Sequence, residues 1–199
     1  MKSDIVHVTN GGVGVQDAFA QTEKVAEYRG LDKKSTLHLR LFAEEMMGMM
    51  QAITGEHEAD FWLESDGNDI SLHLRAETMM NTELRKNLLA ASTSGKNAAA
   101  KGVMGKIKDI FERFLEPVDN RPLPASVYVA GTTYMGTDMF ATTGMCLWSL
   151  NQYKASIHEE NAPQESWDEL EKSIVSKLAD EVKIAIADNT VEMIIYKKF

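Results

Sequence analysis

The chain has 199 residues, 44% of them hydrophobic and 26% charged, with a formal net charge of −9. These globular proportions exclude wholesale disorder and a fibrous repeat, and the length suits one domain that buries roughly 70% of the surface its unfolded chain exposes. The negative charge opposes binding to nucleic acid, whose affinity depends on Lys and Arg displacing counterions; adjacent basic residues come only as the pairs Lys33-Lys34, Arg85-Lys86 and Lys197-Lys198.

Cys146 is the only cysteine, which rules out an internal disulfide and a four-cysteine zinc site and fits a reducing compartment. Residues 1–8 lack a basic region followed by a long apolar stretch, and no window holds the roughly 18 apolar residues needed to span a bilayer. The expectation is a cytoplasmic chain that contacts neither membrane nor nucleic acid.

Ile5, Val6 and Val8 predict a short strand, broken by Asn10-Gly11-Gly12. Val15, Ala18, Phe19, Thr22, Val25 and Ala26 then recur at helical spacing up to Gly30, a residue suited to a left-handed cap. A second helix is expected over 36–54, with Leu39, Phe42, Ala43, Met46, Met49, Met50 and Ile53 on its apolar face. At about 100° per residue, Glu45 falls beside Met49 at the rim of that face and Glu44 points away. The cluster Met46, Met47, Met49 and Met50 has two readings, core packing and an adaptable partner-binding surface.

The period then changes to two. Ala59, Phe61 and Leu63 alternate, as do Ile70, Leu72 and Leu74, and Asp66-Gly67-Asn68 between them marks a hairpin. Helices are expected over 82–91 and 103–114, the second stopped by Pro117. Residues 122–153 carry one charge, Asp138, with a predicted strand at 126–130 and a buried helix over 139–153. Ser166 and Glu169 fit a capping box for a helix ending near Ala179. Val182, Ile184 and Ile186, then Val191, Met193 and Ile195, predict a terminal hairpin around Asp188-Asn189.

This order of elements resembles the Bergerat fold of the histidine-kinase-like ATPases, most closely the anti-sigma-factor serine kinases. The resemblance implies an α+β fold, a two-layer α/β sandwich whose mixed sheet is covered by helices, as a single domain over 1–199. An apolar insertion or lid-like segment would occupy about 117–157. In the family an acidic helix carries a Glu, then four residues later an Asn that holds magnesium against phosphate; here Glu45 and Met49 stand in those places. A thioether is a poor ligand for a hard cation, and the alternative register, Glu44 with Gly48, offers no ligand side chain.

The family's adenine-reading Asp-x-Gly-x-Gly falls at Ala76 to Met80, where Glu77 is the candidate substitute. Its glycine-rich lid is echoed by Gly95, Gly102 and Gly105 with Lys96, Lys101 and Lys106, which could cradle phosphate or simply form a loop before a helix. Thr190, preceded by Asn189, matches the Thr that the family places near adenine.

Other motifs are set aside. Gly102 to Ile107 lacks the first glycine and the Ser or Thr of a P-loop, and Gly12-Val13-Gly14 lacks the third glycine of a dinucleotide loop, so it reads as a turn. His57 between Glu56 and Glu58 reads as a surface loop, Cys146 as a buried, unreactive thiol, and His73, on the outward face with Ser71 and Arg75, as solvated or facing a partner.

Three functions remain open. One is a non-catalytic regulatory protein that binds a ligand or a protein partner; the second is an ATP- and magnesium-binding serine kinase; the third is an unrelated α+β domain. A homo-oligomer made through the apolar segment is compatible with each, and no cofactor is assigned beyond the candidate ATP and magnesium.

Overall fold

A computed structural model describes residues 1–54, 58–77, 146–159, 173–187 and 190–199. The elements are β1 (Val6–Thr9), α1 (Val15–Tyr28), α2 (Lys33–Thr54), β2 (Glu58–Asp66), β3 (Asp69–Glu77), β4 (Cys146–Ser149), α3 (Leu150–Glu159), α4 (Ile174–Leu178), β5 (Glu181–Ala187) and β6 (Thr190–Lys198). The expected helices at 82–91 and 103–114, the strand at 126–130, His57 and the Ser166 and Glu169 capping box lie outside the described residues.

The fold is α+β. Its described strands form one six-stranded sheet in the order β1-β2-β3-β6-β5-β4, and every pairing is antiparallel. The mixed sheet expected from the resemblance is therefore not what these strands make. Both β2 with β3 and β5 with β6 are hairpins, and the two hairpins meet along β3 and β6 running in opposite directions.

Local chemistry sets the helix ends. At the end of α1, Gly30 takes φ 67°. The Gly30 amide then donates to the Glu27 carbonyl and the Leu31 amide to the Ala26 carbonyl, at 2.9 and 3.0 Å, which satisfies carbonyls the helix leaves over. Helix α2 starts at Lys33, earlier than the expected 36, because Asp32 accepts the Ser35 amide at 2.7 Å. That amide bond also holds the Asp32 carboxyl below its ordinary value.

Alternation along the strands makes one sheet face apolar. Val8, Phe61, Leu63, Leu72, Met193 and Ile195 pack there against Ala18, Val25, Leu39, Phe42 and Met46 of α1 and α2. Fully burying a side chain such as Phe42 stabilises by about 1.5–3 kcal/mol, so this face is the main source of cohesion. Met46 and Met47 are both buried in it, which favours core packing for those two methionines.

The helix expected over 139–153 is corrected at its end. Cys146–Ser149 is a strand paired with β5, and the helix begins only at Leu150. Glu181 explains the switch: its carboxylate accepts from the Ser149 hydroxyl at 2.9 Å and from the Asn151 amide at 3.2 Å, closing the start of α3. A short apolar run does not tell strand from buried helix by periodicity. Likewise α4 starts only after Ser173, whose backbone is extended and whose side chain accepts the Ser176 amide, and it ends at Leu178.

The segment 10–14 is a turn, as expected. Gly14 has φ 76° and packs so tightly against β1 that an added Cβ would overlap the His7 carbonyl oxygen, whereas Gly12, at φ 85°, faces open space. Gly12→Ala should cost about 1–2 kcal/mol for the left-handed backbone alone. Gly14→Ala should lower the urea midpoint distinctly further, and equal midpoints would refute the close approach.

Candidate functional site

On α2, Glu45 is half-buried and Glu44 exposed, as helical phase requires. Glu44 is tied to Arg40 at 3.1 Å, and Arg40 also reaches Glu23 on α1. Gly48 is exposed, and Met49 follows in the helix. Glu77 ends β3 and Thr190 begins β6, and the register makes them direct partners. The structure thus brings together two residues that the sequence separates by more than a hundred positions. Gly95, Lys96, Gly102 and Gly105 lie outside the described residues.

The opposite face of the sheet carries the polar residues that alternate with the core. His73 is 3% exposed and Glu192 0%, so the solvated reading of His73 is overturned. Trp62, its direct partner on β2, stacks on the imidazole with centroids 4.8 Å apart and planes 11° from parallel. His73 Nδ1 lies 3.3 Å from Glu192 Oε1, and Nε2 lies 2.9 Å from Ser71 Oγ. Arg75 Nη2 donates to the other oxygen of Glu192 at 2.9 Å. Trp62, Ile194 and Ala185 are buried on this side, apart from the core under the helices.

The carboxylate fixes the histidine tautomer. An ionised Glu192 only accepts, so the proton sits on Nδ1 and Nε2 is left to accept from the Ser71 hydroxyl. Burial pushes the Glu192 carboxyl up, but the hydrogen bonds from His73 and Arg75 and the charge of Arg75 outweigh it, and the group titrates below its ordinary value. The indole of Trp62 is ringed by cations, with Lys2 Nζ 4.5 Å and Arg75 Cζ 5.3 Å from its centroid. Its N–H donates to Glu64 at 3.0 Å.

Two shallow depressions border this face. One of about 450 Å³ is lined by Ser71, Ile70, Glu64 and Tyr196 near the β2–β3 turn, and one of about 490 Å³ by Trp62, Lys2 and Arg75. Neither is lined by Glu45, Glu77 or Thr190. Toward the edge, His7 on β1 lies 2.9 Å from both Asp60 and Glu58. Those two hydrogen bonds, Asp60 first, raise the His7 pKa above its ordinary value. Among the described residues no group of His, Cys, Asp and Glu is arranged to hold a metal ion, and no helix is long and apolar enough to cross a membrane.

Sequence reasoning missed Glu192 and Trp62. The one available signal was the run Glu192, Ile194 and Tyr196, in which an acidic residue shares a strand face with two large apolar groups. Comparison with protein-family models, curated proteins and solved structures found no match to this chain.

Two pH dependences follow with opposite signs. The depressed Glu192 carboxyl contributes stability at neutral pH that is lost as pH falls below about 4.3, the unfolded value, and on through the lower folded value. Urea midpoints of the wild type should therefore drop across that window more steeply than those of Glu192→Gln. The raised His7 contributes stability below about 6.5 that disappears as pH climbs through its folded value. An NMR titration should show the His7 ring titrating lower in Asp60→Asn; an unchanged midpoint would contradict the pairing.

Proposed function

We propose that the chain is a cytoplasmic regulatory protein that binds a protein partner or a nucleotide on the helix side of its sheet, without phosphoryl transfer. The reading treats it as a decayed relative of the histidine-kinase-like ATPases. What supports the relationship is the order of elements and Glu45 at the rim of α2; Glu77 and Thr190, though paired, alternate onto the other face with Ser71, His73 and Glu192. The antiparallel sheet departs from the mixed sheet of that fold, so the support comes from the helix side.

The observation that carries the loss of phosphoryl transfer is the makeup of α2 beyond Glu45. One turn on, the helix offers an exposed Gly48 and then Met49, neither with an oxygen. Magnesium demands near-octahedral oxygen ligation, and a phosphate-transfer site without it lacks its main electrostatic stabiliser. A kinase of the anti-sigma-factor type needs that ligand.

Calorimetric titration with ATP tests the proposal. Binding should be weak, equal with and without magnesium, and diminished in Glu45→Ala, with no release of inorganic phosphate. Tightening by magnesium, or turnover of ATP, would overturn the non-catalytic reading. Absence of heat at millimolar ATP would restrict the ligand to a protein partner.

A further inference from the structure

We propose that Ser71, His73 and Glu192 form a nucleophile relay, in which Ser71 Oγ is acylated by small uncharged or cationic esters and then released by water. The inference concerns the face of the sheet away from α1 and α2, and it stands or falls independently of ATP binding.

The arrangement has the three parts that activate a serine: a hydroxyl in hydrogen-bond reach of an imidazole, and a buried carboxylate on the other ring nitrogen. Ser71 Oγ is 2.9 Å from His73 Nε2, and His73 Nδ1 is 3.3 Å from Glu192 Oε1. Each member is held by something else. Ser71 and His73 alternate onto one face of β3, and Glu192 faces Arg75 in the register, diagonal to His73. Arg75 occupies the second oxygen of Glu192, leaving the first for the imidazole. Trp62 lies flat on the ring and fixes its plane.

Access is graded in the direction a reaction needs. Ser71 is half-buried and lines the depression of about 450 Å³, while His73 and Glu192 are sealed behind it. Glu64, Asp66, Asp69 and Asp180 line that depression together with Lys197 and Lys198. Four carboxylates against two ammonium groups disfavour an anionic substrate.

In the reaction, the Ser71 hydroxyl proton passes to His73 Nε2 as Oγ bonds to the ester carbonyl carbon. The bond to the alcohol oxygen breaks, and the alcohol leaves with the proton from His73. Water repeats the sequence on the acyl-serine, giving the carboxylic acid and restoring Ser71. Glu192 is a positioning residue, which holds the productive tautomer and stabilises the transient imidazolium.

The test uses the full chain, a neutral alkyl fluorophosphonate, which loses fluoride on attack by serine, and peptide mass spectrometry. The expected result is a single adduct on Ser71. Ser71→Ala should abolish it, and His73→Gln should slow it by about 100-fold or more. Glu192→Gln should slow it and Glu192→Asp should recover part of the rate, which a merely structural role would not do. Circular dichroism identifies any variant that fails to fold; the Ser71→Ala comparison then decides alone. Folded wild type that stays unlabelled, an adduct on another residue, or an unchanged rate in folded His73→Gln would each overturn the relay.

Discussion

The ladder between β3 and β6, from Asp69 opposite Lys198 to Glu77 opposite Thr190, is the constraint on which the rest of the molecule depends. It joins a hairpin in the first half of the chain to one at its end, and the loop closure this demands must be repaid by contacts that form only once the strands meet. The repayment is on both faces. Leu72, Leu74, Met193 and Ile195 complete the core under α1 and α2, while His73, Arg75 and Glu192 meet on the other side.

The two repayments differ in kind. Apolar burial is non-directional and tolerates modest rearrangement, but a carboxylate sealed from water costs several kcal/mol unless geometry and hydrogen bonds compensate. Glu192 meets that condition with a partner on each oxygen. The polar face therefore specifies register more sharply than the apolar one: a one-residue slip of β6 would move Glu192 into the core and Met193 out of it. It also pre-sets the tautomer of His73 and the plane of its ring, so the same constraint that fixes the fold prepares a chemical group.

The helix face and the polar face thus carry different chemistry. Along α2 the rim holds one carboxylate, with Gly48 and Met49 one turn further on. Across the sheet, a serine borders a depression with a base and a carboxylate behind it. Glu77 and Thr190 end the ladder on one side and Ser71 sits near its other end, all three on the polar face.

The sequence by itself determined the elements whose signals are local. Gly30 and the apolar spacing of α1, Gly67 between β2 and β3, and the period of two in β2, β3, β5 and β6 were all legible because each depends on neighbouring residues. Helical phase likewise separated Glu45 from Glu44. Tertiary structure alone decided the antiparallel order of the strands, the strand at Cys146–Ser149 and the burial of His73. Alternation says which residues share a face but not whether that face meets water, so the outward face of His73 reads as solvated or facing a partner until the two hairpins are placed side by side. Their pairing arises from positions 119 apart in the chain, and no local pattern encodes it.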